Sequence, residues 1–152
     1  YNAREAEAVV PEDFTVPFGK ARLRRKGNDL AIITFGNTTH MALSAAEKIA
    51  RESGKETAVL DIRSLIPLDT AAIIDLVKQT GKVLVLHEDK VFGGFGGELA
   101  AIIAEQAFEY LDAPVKRLGS TFTPVGFHKN LERANLPSEE KVIKAVKELL
   151  AY

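Results

Sequence analysis

Apolar runs of strand length alternate with helical patterns along most of this sequence, and this alternation constrains the fold more than any other feature. Three runs, at residues 30–35, 57–62 and 82–87, are rich in apolar residues, as is typical of strands buried on both faces of a parallel sheet. A helical pattern of apolar residues follows each run. Alternating strands and helices predict an α/β fold with three layers, in which helices cover both faces of a mostly parallel sheet.

Capping residues and glycines predict where the helices begin and end, because side-chain oxygens satisfy the first free amides and glycine adopts the left-handed conformation after the last turn. A third helix is predicted over residues 97–111, a short strand over 115–118, and a last helix from Pro137 to about residue 150. The predicted caps are Thr38 or Thr39, Asp69 or Thr70, and Ser138, and the predicted stops are Gly54 and Gly81.

The first 28 residues contain none of these patterns and are predicted to be irregular. Residues 1–8 resemble the end of a linker, and the following stretch, with Pro11 and Pro17, favours an extended segment because proline fixes φ. The domain proper is therefore predicted to span residues 29–152. The chain begins with Tyr1 rather than Met, and we interpret it as a piece of a longer polypeptide.

Composition excludes several classes of function. The formal net charge is −1 and both signs are spread along the chain, so no basic surface for nucleic acid or an anionic membrane is predicted. There is no cysteine, which excludes disulfides, thiolate metal sites and a cysteine nucleophile. No apolar run approaches the roughly 20 residues that span a bilayer.

A glycine-rich loop precedes the third helix, where a phosphate could bind the helix N-terminus. The spacing of Gly94 and Gly96 fails the dinucleotide fingerprint because residue 99 is leucine, and Glu98 would repel an anion. We therefore favour a tight loop whose backbone approaches a neighbour closely, with Phe92 and Phe95 at an interface.

The three histidines do not form a recognisable catalytic set. His87 ends a strand, and because successive strand residues point to opposite faces, His87, Glu88 and Asp89 cannot all converge on a metal or acid–base site unless the strand ends there. We predict a hydrogen-bonded structural role for His87 at the edge of the sheet. His40 heads the first helix and is the better candidate to face a cleft. His128 is predicted to be exposed or at an interface.

Asp61 and Arg63 lie two residues apart and so share a face of the chain. They are predicted to form an ion pair that fixes the loop after the second strand, although pairing with a partner remains an alternative. No metal site is predicted. The absence of a complete catalytic apparatus favours a domain that supports an active site formed elsewhere.

Five segments, in order, carry a family resemblance. They are residues 15–21 (TVPFGKA), 58–69 (AVLDIRSLIPLD), 80–88 (TGKVLVLHE), 94–98 (GFGGE) and 111–117 (LDAPVKR). With these segments the chain closely resembles the C-terminal, transketolase-type domain of the β subunit of thiamine-diphosphate-dependent 2-oxoacid dehydrogenases, which include the pyruvate and 2-oxoisovalerate enzymes. The resemblance implies a five-stranded sheet with one antiparallel edge strand.

The resemblance also implies a supporting role. In the intact enzyme, an oxidoreductase that decarboxylates a 2-oxo acid and acylates a lipoyl group, thiamine diphosphate and Mg²⁺ lie outside this domain, so no cofactor-binding residue is carried over and the isolated chain is expected to be inactive. The implied partners are an α subunit or domain, a second β subunit in a heterotetramer, and the subunit-binding domain of a lipoyl acyltransferase. The implied location is the bacterial cytoplasm or the mitochondrial matrix.

The same resemblance assigns roles to particular residues. Asp112 and the carboxylate of Tyr152 correspond to the docking patch for the acyltransferase. His40 corresponds to a position near the substrate channel. Subunit contacts are implied for the glycine-rich loop, namely Phe92, Gly93, Gly94, Phe95 and Gly96.

Two other functions remain open. The chain could belong to another transketolase-like enzyme, although the LDAPV segment argues against this. It could also be a free-standing module that binds a nucleotide or anion at the glycine-rich loop, which a saturable thermal stabilisation by such ligands would reveal.

Overall fold

The computed structural model describes residues 11–152, which place a five-stranded sheet between two layers of helices. The strand order is β1-β3-β2-β4-β5, with β1 antiparallel to β3 and the other pairs parallel. The strands are β1 (Arg22–Arg25), β2 (Leu30–Thr34), β3 (Thr57–Asp61), β4 (Val83–Lys90) and β5 (Lys116–Ser120). The helices are α1 (Thr38–Ser53), α2 (Thr70–Thr80), α3 (Gly96–Ala107), α4 (Lys129–Asn135) and α5 (Glu139–Leu150), with a 3₁₀ turn at Phe108–Tyr110.

Two apolar clusters lie on opposite faces of the sheet because successive strand side chains point to opposite sides. Leu30 and Ile32 of β2 pack with α1 and α5, whereas Ala31 and Ile33 pack with α2 and α3. All five residues of β2 are buried, which explains why its sequence is a continuous apolar run. The predicted three-layer fold with one antiparallel edge strand is confirmed.

Most of the predicted helix ends are confirmed. Asp69 accepts a hydrogen bond from the Ala72 amide at the start of α2, and Ser138 accepts one from the Lys141 amide at the start of α5. Gly54 and Gly81 take left-handed conformations after α1 and α2. The start of α1 and the end of α3 differ from the prediction.

The predicted cap of α1 at Thr38 or Thr39 is wrong. Asn37 occupies the cap position and its side chain makes no capping hydrogen bond. Both threonines lie buried within the first turn, where Thr38 Oγ1 donates to the Phe35 carbonyl at 2.8 Å. The hydroxyl therefore fastens the helix to the end of β2 instead of capping its amides.

Four further elements differ from the sequence predictions. Strand β1 falls inside the segment predicted to be irregular, and β4 continues to Lys90, three residues past the predicted end. The third helix gives way to the 3₁₀ turn after Ala107, and α4 was not predicted at all. The predicted linker end at residues 1–8 lies outside the described residues. None of the helices within residues 11–152 is long and apolar enough to cross a membrane.

Candidate functional site

The order of the strands reverses between β2 and β4, and the crevice beyond such a reversal is the usual binding place in open α/β sheets. Here that place is occupied by side chains of the chain itself. The rings of Phe35, just after β2, and His87 of β4 stack with centroids 6.0 Å apart and planes 7° apart. Beside them the Asn37 side-chain amide donates to Glu88 Oε1 at 3.3 Å. The described residues thus close the crevice that an α/β enzyme would leave open.

His87 has no exposed surface, and neither ring nitrogen has a hydrogen-bond partner among the described residues. The hydrogen bond predicted for His87 is therefore wrong, whereas its structural role stays a prediction that its burial supports. A buried polar group without a partner costs free energy, so the ring must be held by packing. Glu88 and Asp89, the next two residues, are exposed.

Three glycines, from the loop before α3, the start of α3 and β5, form the walls around the ring of His87. A Cβ atom on Gly96 would lie less than 3.0 Å from Nε2 and Cδ2 of His87, and one on Gly119 would lie 2.9 Å from Cε1. A Cβ atom on Gly94 would lie less than 3.0 Å from the Lys90 carbonyl oxygen and 3.2 Å from Cε1 of His87. These positions admit only glycine, which explains part of the glycine-rich run. We call Gly94, Gly96 and Gly119 the glycine cradle.

Burial in the glycine cradle lowers the pKa of His87, because the charged ring would lose its hydration. The Asp89 carboxylate and backbone act in the opposite direction, and the positive charge of Arg117 adds to the lowering. The Asp89 carbonyl therefore favours the protonated ring to some extent, although it does not meet the geometry of a hydrogen bond to Nδ1. Desolvation is the dominant cause, so the resting ring is neutral.

The glycine-rich loop does not have the form of an anion site. The Gly97 amide donates to the Gly94 carbonyl at 2.9 Å, and the Leu99 amide donates to the Phe95 carbonyl at 3.1 Å. Glu98 lies in the first turn of α3, where its charge opposes a bound anion. Gly94 and Gly96 are buried against His87, whereas Phe92 and Gly93 are exposed and Phe95 is half-buried against Phe35.

An apolar groove of about 760 Å³ lies between the loop before α2 and the loop before α3. Ile66, which is 91% exposed, lies on one side, and Gly93 and Phe95 lie on the other. Nearby, Phe92 packs edge-on against Phe122, and both rings stay about 70% exposed. Large exposed apolar surfaces of this kind mark interaction sites. We call Ile66, Phe92 and Phe122, together with Val125 and Phe127 of the loop after β5, the carboxyl-edge patch.

The loop after β3 is fixed differently from the prediction. The predicted ion pair between Asp61 and Arg63 is wrong, because Asp61 accepts the Arg63 backbone amide at 3.1 Å and its ionic partner is Arg24 of β1, at 3.8 Å. Arg63 instead donates its Nε to the Lys20 carbonyl at 2.8 Å. Asp61 therefore contacts β1 itself, and Arg63 attaches the segment before β1 to this loop, which sequence spacing alone did not indicate.

The other two histidines are exposed. His40 lies in the first turn of α1 at the carboxyl edge of the sheet. His128 caps α4, with Nδ1 accepting the Asn130 amide at 3.3 Å. Among residues 11–152, no group of three or more His, Asp and Glu side chains is placed to hold a metal ion.

Asp112 and Tyr152 lie near the opposite edge of the sheet, where β5 begins. Asp112 is exposed, and its backbone amide donates to the Gly81 carbonyl at 2.7 Å. Tyr152 is also exposed and, together with Pro114 and Lys116, lines a groove of about 230 Å³. Both predicted docking residues are therefore exposed, and Tyr152 lies beside Pro114.

The comparisons with known proteins agree with this geometry. Residues 19–142 match the family model described as "Transketolase, C-terminal domain". The chain belongs to this family. The matched residues include all five strands, helices α1 to α4 and the first turn of α5.

Several curated proteins resemble this transketolase C-terminal domain over nearly its whole length. The pyruvate dehydrogenase E1 component subunit beta of Rickettsia felis is 39% identical over 94% of this chain and 44% of its own length. The 2-oxoisovalerate dehydrogenase subunit beta of Bacillus subtilis is 39% identical over 95% of this chain and 44% of its own. The acetoin:2,6-dichlorophenolindophenol oxidoreductase subunit beta of the same species is 39% identical over 93% of this chain and 39% of its own length. The chain thus spans less than half the length of these relatives.

A solved structure described as a split-gene transketolase in an inactive beta4 tetramer shares the fold with a TM-score of 0.77 and 28% identity, over 95% of this chain and 46% of that one. A 2-oxoglutarate:ferredoxin oxidoreductase from Magnetococcus marinus, at 18% identity and a TM-score of 0.61, shares the fold alone. The resemblance inferred from the five sequence segments is confirmed.

Proposed function

We propose that this chain is the C-terminal domain of the β subunit of the decarboxylating component of a 2-oxoacid dehydrogenase complex. The observation that carries the proposal is the match of 94–95% of the chain to β subunits named for pyruvate and 2-oxoisovalerate dehydrogenases. The intact enzyme would decarboxylate a 2-oxo acid and reductively acylate a lipoyl group. The chain itself would hold subunits together and dock the acyltransferase.

The described residues are not suited to hold thiamine diphosphate or Mg²⁺. The crevice at the strand reversal is closed by Phe35 and His87, and residues 11–152 offer no group of three metal-ligating side chains. The glycine-rich loop encloses a side chain instead of a phosphate. In the proposed enzyme the cofactor and Mg²⁺ are therefore held by other domains, and His40 would reach at most the substrate channel from the head of α1.

The choice of substrate would lie outside this domain. Relatives named for pyruvate, 2-oxoisovalerate and acetoin are all 39% identical to the chain. If this domain contacted the substrate, its sequence would be expected to be more similar to relatives named for one substrate than to relatives named for the others. Relatives from bacteria and relatives named as mitochondrial both occur, which supports the bacterial cytoplasm or the mitochondrial matrix as the location.

Subunit assembly would use the carboxyl-edge patch. Solvent-exposed phenylalanines and isoleucine at the tips of neighbouring loops are costly for a monomer and typical of an interface core. The related split-gene transketolase β chain is described as a tetramer, which supports a second β subunit as the partner at this patch and an α2β2 arrangement in the intact enzyme. Phe92 and Gly93 would contact the partner, and the buried Gly94 and Gly96 would hold the loop in shape.

Replacing Phe92 and Phe122 with serine is expected to weaken self-association of the chain by about 2 kcal/mol, roughly 30-fold in dissociation constant, because central aromatic residues dominate interface energies. Sedimentation velocity over a concentration series measures this. Phe108→Ser is the control, since Phe108 is 76% exposed but lies in the 3₁₀ turn after α3, away from the patch. Equal weakening by the control, or a wild-type chain that stays monomeric, would count against the patch.

Docking of the acyltransferase would use the surface around Pro114. Asp112 contributes a carboxylate and Tyr152 contributes an exposed ring and, where it ends the subunit, a terminal carboxylate. Acidic groups beside a small apolar groove suit a basic partner domain, which charge would steer and hydrogen bonds would hold. Both residues keep the docking role that the family resemblance implies for them.

Asp112→Lys is expected to weaken binding of a lipoyl acyltransferase subunit-binding domain by at least about tenfold, since reversal places like charges together. Isothermal titration at two salt concentrations measures the loss. Asp75→Lys on α2 changes the net charge equally at an exposed site away from this surface and is the matched control. Binding that is absent in the folded wild type, or equally weakened by both changes, would sink the docking proposal.

The two alternatives predict other results. A domain of another transketolase-like enzyme would self-associate without binding the acyltransferase domain. An anion-binding module would be stabilised by nucleotide or phosphate, which the closed glycine-rich loop and Glu98 disfavour.

A further inference from the structure

His87 combines three features that the proposed function does not use. Its imidazole is fully buried, both nitrogens lack hydrogen-bond partners within residues 11–152, and the glycine cradle encloses it. The ring also connects to the loop before α3 through a chain of aromatic contacts, from His87 to Phe35 and from Phe35 to Phe95, whose centroids are 6.2 Å apart. A change at the ring therefore acts directly on the loop.

The loop before α3 closes onto the ring without bonding to it. Its own fastenings are backbone hydrogen bonds, including Gly97 to the Gly94 carbonyl and Val91 to the Ser120 carbonyl at 3.1 Å. Arg117 Nη1 holds the start of the loop through the Val91 carbonyl at 3.0 Å. Closure of the loop before α3 over His87 is thus favourable only while the ring is uncharged.

We propose that His87 is a pH-sensitive latch: the neutral ring lets the glycine cradle close, and the protonated ring opens the loop before α3. A protonated ring would carry two buried N–H donors and a charge whose lost hydration the Asp89 carbonyl and carboxylate offset only in part. Exposure to water would restore that hydration. Opening would reshape the apolar groove, because Gly93, Gly94, Phe95 and Gly97 all line it.

The direction of the pH effect follows from the lowered pKa of His87. The open form has the ordinary value of 6.5 and so binds a proton that the closed form does not. Closure is at full strength above pH 6.5 and weakens as the pH falls below it, by about tenfold in the closed-to-open ratio per pH unit until the lowered pKa is reached. The charged groups on the elements around the ring are Glu88, Asp89 and Lys90 of β4, Arg117 of β5 and Glu98 of α3.

Amide hydrogen exchange of the whole chain between pH 8 and pH 5 tests the latch, with rates divided by intrinsic rates at each pH. Protection of the Gly97 and Leu99 amides is expected to fall about tenfold per pH unit below 6.5. The Ala31 and Ile62 amides, which bond to the Lys82 and Thr34 carbonyls in the sheet, are expected to keep their protection. A parallel fall at all four amides would mean global unfolding and would overturn the proposal.

His87→Leu keeps an apolar side chain in the cradle and removes the titrating group, so its loop protection is expected to be independent of pH. His40→Gln, on an exposed histidine, is expected to keep the wild-type slope. If His87→Leu does not fold, the ring is titrated by NMR in the wild-type chain. A His87 that titrates at its ordinary value, or loop protection that is flat while His87 takes up its proton, would overturn the latch.

Discussion

Replacing Gly96 with alanine is expected to destabilise the domain by about 3 kcal/mol, the upper part of the range for overpacking a core. The added Cβ would lie within 3.0 Å of two ring atoms of His87. The ring cannot move away freely, because Gly94 and Gly119 enclose it and Phe35 stacks on it. Either the loop before α3 or the imidazole must shift, and chemical denaturation measures the loss of unfolding free energy.

Gly97→Ala is the matched control for this change. Gly97 also lies in the first turn of α3, so alanine brings the same gain in helix propensity at both positions, up to about 1 kcal/mol. The nearest atom to a Cβ at Gly97 is Nη1 of Arg117, at 3.3 Å, on the far end of a flexible side chain. The control is therefore expected to be neutral or slightly stabilising. Equal losses at both positions would contradict the glycine cradle as the cause.

The glycine cradle could be predicted from the sequence only in part. A strand ending in histidine and a glycine-rich loop were both evident from spacing, and a tight loop was the favoured interpretation. The contact between them depends on Gly119, which belongs to β5 more than 20 residues later in the sequence and has no local signal. The sequence therefore predicts the whole glycine-rich loop at an interface, whereas Gly94 and Gly96 face the interior.

Elements were predictable in proportion to the apolar surface that they bury. Strand β2 and helix α5 have clear patterns because each turns several apolar side chains toward a core cluster. Strand β1 reads Arg-Leu-Arg-Arg and is largely exposed, so it has no apolar alternation to detect. Helix α4 buries only Asn135, whose Oδ1 accepts from Thr121 Oγ1. Hydrogen bonds to distant residues hold these two elements, and such bonds leave no periodic pattern.

The proposed surfaces for subunit assembly and for docking lie at opposite edges of the sheet. At the carboxyl edge, long loops present the exposed aromatic side chains of the carboxyl-edge patch, and the crevice that would bind a ligand is filled from within. Near the start of β5, Asp112 is exposed and Tyr152 lines a smaller groove, and both belong to the proposed docking surface. A domain that closes its own crevice and exposes apolar loops is better suited to holding other domains than to chemistry.

Asp69→Ala is also expected to lower the free energy of unfolding by about 3 kcal/mol. Loss of the helix cap would contribute about 1 kcal/mol. Loss of the acceptor for a half-buried backbone amide would contribute about 2 kcal/mol. Asp69 is only 10% exposed and uses both oxygens: Oδ1 accepts the Ala72 amide of α2, and Oδ2 accepts the Ala21 amide at 3.0 Å. Its cap was predictable, but the bond to a residue 48 positions earlier was not. This second bond attaches the segment before β1 to the loop before α2.

Asp69→Asn separates the two contributions. The asparagine keeps one acceptor oxygen and can still cap α2, but its amide group cannot accept from Ala21. Its loss of unfolding free energy is therefore expected to be about half that of Asp69→Ala, with chemical denaturation as the measurement. Hydrogen exchange would show the Ala21 amide losing protection in both variants, while the Ala72 amide loses it only in the alanine variant. Equal stability of the alanine variant and the wild type would mean that Asp69 does not join the two segments.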